Sequence, residues 1–390
     1  MKAAPDASID LSDVVRRFGP AYVASRGEAI LPSQKKALSD IANCHTEKMG
    51  GRRYCCEDCG ENFWVYHGCR NRACPACHGR FTRQWVAARQ GELLGCGYYH
   101  VVATVPAPLR AAFLANQKLL YGLFLKTVSE CVIDLVRDPR YVGGLPAVLA
   151  VLHTWASDLQ FHPHAHLLVS ADGEHWIEPR HSGWLVPIWA LSALVRGRFR
   201  AHLKRVAPQV EANLPISVWA KGWNVFCKPC GSHSEGVVAY LGRYIFRTAI
   251  SNARIESMDE THVTFRFKSR RKGQGWSRLR LRGEEFLRRF VMHVLPRGFQ
   301  KVRYYGLWHH SKSGAQKRIA EMLRLTKGGC CNKDKFQEVP GRLDILSDLA
   351  PSEESTIDDL KGAALVKCPH CSSTSVHLNA EIRRGSIRSP

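Results

Sequence analysis

The feature that most constrains this chain is a cysteine-rich stretch, "CCEDCGENFWVYHGCRNRACPACHG", beginning at Cys55. It contains Cys56-x2-Cys59, fourteen intervening residues, and Cys74-x2-Cys77. Each CxxC turn aims two thiolates at one point, and two such turns complete a tetrahedral four-sulfur zinc site. The expectation is one zinc ion held by Cys56, Cys59, Cys74 and Cys77. Such a closed site leaves no coordination position open, so its role is structural. Gly60 and Gly79 stand just beyond the pairs, where tight turns call for them. Cys44, Cys55, Cys69 and His67 lie nearby, which leaves a swapped ligand or a second zinc ion open. Two other pairs, Cys227-x2-Cys230 and Cys368-x2-Cys371, have no obvious second half and are read as metal-free, although Cys330 and Cys331 stand near the latter.

Fifteen cysteines in a chain that starts MKAAPDASIDLSDVV, with acids and no apolar signal core, favour zinc over disulfides and an intracellular, cytoplasmic setting. Lys and Arg number 56 against 34 Asp and Glu, a formal charge of +22. That excess favours a polyanionic partner, with nucleic acid ahead of an anionic membrane surface. No apolar stretch reaches the 18 residues of a spanning helix, so no membrane partner is expected. Arg70 and Arg72 set positive charge beside the cysteines, as a DNA-binding knuckle would.

The pattern along the chain is helices, a cysteine knot, then strands mixed with long helices. "SDVVRRFGPAYVASRG" reads as a helix with Ser12 as cap and a break at Gly19-Pro20; "PSQKKALSDIANC" reads as a second, with Pro32 in its first turn. A helix is expected from Phe81, a buried strand from Tyr99 and long helical periodicity from Leu109. A second strand is expected in "PAVLAVLHTWA" and a basic hairpin in "HVTFRFKSRRKGQGWSRLRLR", whose turn carries Arg270, Arg271 and Lys272. This order predicts an α+β fold with a mainly antiparallel sheet. The expected units are a helical and zinc-binding region over 1–95, a catalytic region over 96–325, and a flexible tail over 326–390 with a CPHC element.

"QFHPHAHLLVS" places His162, His164 and His166 at every second residue. In a strand these share one face, while Ala165 and Leu167 point the other way into packing. His164 and His166 can thus offer two neutral imidazoles to one divalent ion, with His162 or Gln160 as a third ligand. Imidazole tilts intrinsic affinity toward Mn²⁺ over Mg²⁺, while cellular availability favours Mg²⁺. The competing reading is a solvated strand edge.

"VVAYLGRYIFRTA" carries Tyr240 and Tyr244 one helical turn apart, with Arg243 and Arg247 on the same side and the apolar stripe opposite. Core tyrosines would lie with the apolar stripe. A free phenol is a poor nucleophile at neutral pH, but neighbouring cations favour the phenolate.

Four separated segments, "RRFGPAY", "CRNRACPAC", "DLQFHPHAHLLVS" and "VVAYLGRYIFRTAISN", together resemble the IS91-like rolling-circle insertion-sequence transposases of the two-tyrosine HUH type. The resemblance runs in order from about residue 10 to about residue 320. It implies an antiparallel-sheet HUH endonuclease domain flanked by helices and preceded by a helical, zinc-knuckle DNA-binding domain. It implies that His164 and His166 are the HUH metal pair, holding Mg²⁺ or Mn²⁺, and that Tyr240 and Tyr244 form 5′-phosphotyrosine links. The implied partner is DNA, as single-stranded or hairpin insertion-sequence ends and target, in the bacterial nucleoid. Two departures stand out. Gly50-Gly51 is followed by Arg52 and Arg53 where the family has a histidine. Cys227 and Cys230 flank a Lys228-Pro229 element that the family carries without cysteines, which favours a phosphate-contact role for Lys228. The alternative function is a non-catalytic, zinc-dependent DNA-binding protein in which the histidines and tyrosines are structural.

Overall fold

The computed structural model describes residues 9–77, 93–94, 96–174, 185–230, 247–269, 275–325 and 366–384. The expected helix from Phe81, the tyrosine helix with Tyr240, Arg243 and Tyr244, and the basic turn with Arg270, Arg271 and Lys272 lie outside the described residues.

The chain opens with α1 (Leu11–Arg26) and α2 (Pro32–Ala42). Asp10 caps α1, not Ser12. The Asp10 carboxylate accepts from the Asp13 N–H, and the Asp13 carboxylate accepts from the Asp10 N–H. Nor does Gly19-Pro20 end the helix, since Pro20 lies inside it. An interior proline costs about 3 kcal/mol. Burying Val14, Val15, Phe18 and Tyr22 on either side stabilises by about 1.5–3 kcal/mol each, so packing wins. Pro32 opens α2 as expected.

A five-stranded antiparallel sheet forms the centre, in the order β10-β4-β5-β3-β6. The strands are β3 (Tyr98–Thr104), β4 (Leu145–Trp155), β5 (Phe161–Glu174), β6 (Val225–Pro229) and β10 (Val302–Gly306). The helical pattern from Leu109 resolves into α3 (Arg110–Ala115) and α4 (Gln117–Arg137), and α5 (Ile188–Val206) follows β5. Alternation divides the sheet's side chains. Val101, Ala103, Val148, Ala150, Leu152, Ala165 and Leu167 enter the main core with Leu120, Phe124 and Val128 of α4 and Val195 and Phe199 of α5. Leu149, Val151 and Leu168 face the other way, toward Leu307 and toward Ile319 and Leu323 of α7 (Ser313–Leu325). The histidines of β5 share this second face.

The basic hairpin appears as β8 (His262–Lys268) paired with β9 (Trp276–Arg282), with β7 (Ile255–Met258) beside β8. Phe265 and Val263 of β8 join Phe286 and Phe290 of α6 (Gly283–Val291) in one core with Leu11, Val15 and Phe18 of α1 and Leu38 and Ile41 of α2. A Cβ on Gly283 would meet the Phe18 ring at 2.2 Å, so the approach of α1 to α6 requires a glycine there. The N-terminal helices therefore share a core with residues far downstream, across the boundary expected at 95/96.

A third sheet, β11-β1-β2, joins β1 (Gly51–Cys56), β2 (Asn62–Tyr66) and β11 (Val376–Ile382). Residues 366–384 were expected in a loose tail. Instead β11 pairs antiparallel with β1 from Gly51↔Ile382 to Cys56↔Val376. Unpaired strand edges seek partners, and periodicity alone does not name the partner.

Candidate metal centres

His164 and His166 share one face of β5, and His153 of β4 joins them. The ligand atoms of His153, His164 and His166 all lie within 4.8 Å of one another. His153 comes from β4, where it is directly paired with His164; Val151, two residues earlier, is paired with His166. Direct pairs share a face, so strand register brings the three imidazoles together. His153 is buried and stacks on Trp155 at 4.6 Å between ring centroids. His162 was one expected third ligand, but its Nδ1 accepts from the Arg110 guanidinium at 2.7 Å. Gln160 lies in the exposed turn before β5, its N–H donating to Asp158.

Hydrogen bonds select the imidazole tautomers. The Nδ1–H of His164 donates to the His162 carbonyl at 2.7 Å, which makes Nε2 the lone-pair nitrogen of that tautomer. His166 Nδ1 faces His100 Nε2 at 2.9 Å. When His166 donates there, its own Nε2 is likewise the lone-pair nitrogen, and His100 orients the ring. Burial pushes His100 down to about 3, helped by the charge of Lys228, its cross-strand pair. Burial, then neighbouring histidines, then Arg247 hold His166 well below the usual histidine range. Both imidazoles are thus neutral near pH 7, the form that binds metal. The donor set fits a divalent transition ion, with positions to spare beyond three nitrogens. Lys228 acts electrostatically on His100, and Arg247 on His166.

The cysteines regroup. Cys44, Cys69, Cys74 and Cys77 form one buried cluster, while Cys56, Cys59, Cys368 and Cys371 form another. The single site expected from Cys56, Cys59, Cys74 and Cys77 does not exist, because the β1–β2 hairpin stands between the two pairs. β2 alone spans about 13 Å at 3.3 Å per residue, several times the roughly 3.8 Å between sulfurs on one zinc ion. The Cys368/Cys371 pair, expected to be metal-free, has its second half in Cys56 and Cys59. Cys227 and Cys230 pack in different apolar clusters, in keeping with a metal-free pair.

In the first cluster, Cys44 Sγ lies 3.6 Å from Cys77 and 3.7 Å from Cys74, and Cys69 lies 3.7 Å from Cys77. Backbone N–H groups of Cys69, Arg70 and Asn71 donate to the sulfurs at 3.3–3.4 Å. The hydrogen bond to Cys44 pushes the His45 imidazole up to about 9, so a cation sits beside the cysteine cluster. Cys44 follows α2 and was noted in sequence only as a neighbour. Its signal is the spacing Cys69-x4-Cys74-x2-Cys77, which offers three ligands and lacks a fourth.

Arg72, an expected DNA contact, is exposed but bonded to backbone. Its guanidinium donates to the carbonyls of Leu295, Pro296 and Phe299, so it ties the knuckle to the turn before β10. Arg70 is exposed, with a backbone φ of +58°. Among the described residues, no helix is long and apolar enough to cross a membrane.

An antiparallel α+β fold with three converging histidines, joined to a cysteine-rich unit, defines a class of zinc-binding proteins. Comparison with known proteins narrows it. Residues 14–105 match the family model described as "Transposase zinc-binding domain", and residues 147–316 match "Putative transposase". The chain is 32% identical to "Putative transposase y4qJ" of Sinorhizobium fredii over 93% of its own length and 92% of the relative's. It is 25% identical to "Transposase for insertion sequence element IS801" of Pseudomonas savastanoi pv. phaseolicola over 75% of each chain. No solved structure matches. The chain belongs to the IS91-like transposase family. That membership implies nuclease and strand-transferase activity, and the zinc-binding model together with the cysteine clusters supports bound Zn²⁺.

Proposed function

We propose that this protein nicks single-stranded or hairpin DNA at insertion-sequence ends and transfers strands through 5′-phosphotyrosine links on Tyr240 and Tyr244, in a rolling-circle manner in the bacterial nucleoid. The observation that carries the reading is the convergence of His153, His164 and His166 on the sheet face opposite the main core. A divalent ion held there, Mn²⁺ or Mg²⁺, supplies Lewis-acid polarisation of a phosphate oxygen.

The chain's own residues do the rest. The His162 carbonyl and His100 fix the ring orientation and tautomer of His164 and His166. Lys228 and Arg247 supply positive charge where a phosphate would lie. A tyrosine phenolate attacks phosphorus, the P–O3′ bond breaks, and the 3′ oxygen departs and takes a proton. The phosphodiester energy is kept in the tyrosyl link, so a 3′-hydroxyl can reverse the attack and join strands without another energy source. The second tyrosine allows a second such exchange. Cys44, Cys69, Cys74 and Cys77 hold a structural zinc ion beneath this domain.

The test is incubation with single-stranded DNA from the element's end and Mn²⁺, followed by denaturing electrophoresis. An SDS-stable adduct is expected, lost in the Tyr240→Phe, Tyr244→Phe double variant. His164→Ala should abolish the adduct while DNA binding survives. Absence of any adduct with folded wild-type protein rejects the reading.

A further inference from the structure

The structure assigns a second, split zinc site to Cys56, Cys59, Cys368 and Cys371, whose metal fastens residues 366–384 to the N-terminal unit as a third strand. Cys368 and Cys371 lie beyond both matched family models, which end at residues 105 and 316, so the zinc-binding model contains only half of this ligand set.

Three observations carry the assignment. The first is the spacing of the sulfurs. All four lie within 4.8 Å of one another, with Cys56 to Cys371 at 3.5 Å and Cys59 to Cys368 at 3.6 Å. A tetrahedron with Zn–S bonds of about 2.3 Å has edges of about 3.8 Å. A disulfide needs about 2.05 Å, and all four cysteines are free thiols.

The second is that the two pairs are built alike. The Cys56 N–H donates to the Glu61 carbonyl at 2.9 Å, and the Gly60 N–H donates to the Cys56 carbonyl at 2.9 Å. In the distant segment the Cys368 N–H donates to the Ser373 carbonyl at 2.8 Å, and the Ser372 N–H donates to the Cys368 carbonyl at 2.9 Å. The residue after each second cysteine takes a left-handed φ, +72° at Gly60 and +64° at Ser372. Serine accepts that conformation only at a cost, so the turn is held in place by its surroundings. Two turns with the same hydrogen bonds, each aiming two sulfurs at the other, make a four-thiolate cage.

The third is how little side-chain packing supports the backbone pairing of β11 with β1. Among the described residues, the apolar cluster under it contains Cys56, Phe63 and Cys368, with Tyr54, Val366 and Val376 at its margin. The ion pair Arg52–Glu381 at 3.3 Å is exposed at both ends and therefore weak, while Arg384 adds one contact to the buried Asp40 carboxylate at 3.2 Å. A metal crosslink between the turns supplies what this packing lacks. It differs from the first cluster in exposure. There all four cysteines are buried, whereas here Cys59 and Cys371 are exposed, so this site gives up its metal first.

Zinc released from the purified full-length chain by a mercurial is the measurement. Wild type should yield two equivalents, the Cys368→Ser, Cys371→Ser variant one, and the Cys227→Ser, Cys230→Ser variant two. One equivalent from wild type, or two from the Cys368/Cys371 variant, overturns the assignment. Should that variant fail to fold, Cys371→His keeps a zinc donor and should retain two equivalents. Its cobalt-substituted form should show d–d bands displaced toward higher energy, as one sulfur is replaced by nitrogen. An unchanged cobalt spectrum means Cys371 is not a ligand and equally rejects the site. Adduct formation with DNA is a separate readout, so loss of this zinc and failure of the tyrosine chemistry are distinguishable.

Discussion

His164 and His166 could be read from spacing because a strand repeats every two residues, and that period is written in one segment of sequence. His153 could not, because its role depends on the register between β4 and β5. Its trace in the sequence is a single imidazole inside an apolar strand, and a buried polar group needs a partner. The three histidines nearest the site therefore separate by experiment. His153→Ala removes a ligand and should abolish Mn²⁺-dependent cleavage at ordinary metal concentrations. His100→Phe removes only the group that orients His166 and should weaken metal affinity about 10–100-fold. His162→Ala breaks the contact with Arg110 and should leave metal affinity within a few-fold of wild type. Titration of cleavage against Mn²⁺ checks all three, and equal loss at His162 and His153 would overturn the assignment.

At the scale of elements, local pattern identified β3, β4, β5, the β8–β9 hairpin and helices α1 to α4, missed β1, β2, β6, β7 and β11, and left the element ends to be set by something else. Ser12 and Asp10 are both plausible caps; the one that accepts from the N3 amide is decided by backbone geometry. Pro20 stays inside α1 because four apolar side chains around it are buried by α2 and α6, elements that periodicity in α1 does not reveal. The same long-range packing sets a pH dependence. His293, just after α6, is buried, with its Nε2–H donating to the Leu159 carbonyl at 3.1 Å and Thr154 Oγ1 3.2 Å from Nδ1. Burial holds it down to about 4, from the usual 6.5. Between these values the unfolded chain binds a proton that the native chain does not. Stability from this residue is therefore complete above pH 6.5 and falls as the pH drops toward 4. The loss amounts to about 3 kcal/mol. His293→Gln should flatten that part of the pH–stability curve, read by denaturant melts at pH 7, 5.5 and 4; parallel curves would reject the attribution.

On the whole-molecule scale, charge and tethering must be distinguished. A net +22 makes DNA binding salt-dependent, each neutralised phosphate of a single strand adding about −0.7 to the log–log slope. Lys228→Ala should reduce the slope by about that amount. Arg72→Ala should leave it unchanged and lower stability by about 1–3 kcal/mol, because three carbonyls lose their donor. Binding isotherms from 50 to 300 mM salt, paired with thermal melts, separate the two. The α+β class was legible in the order of elements. The exchange of cysteine partners was not, because it depends on a hairpin holding two pairs apart and on a strand returning from far along the chain. That return has a consequence for biosynthesis. Cys59 is made 309 residues before Cys368, so it leaves the ribosome long before its partner exists. Until then the β1 edge is bare and two thiols stand open to oxidation or to borrowed metal. A reading-frame shift anywhere in the intervening stretch would leave them so permanently, which makes this corner of the molecule a natural place for the cell to detect an unfinished copy.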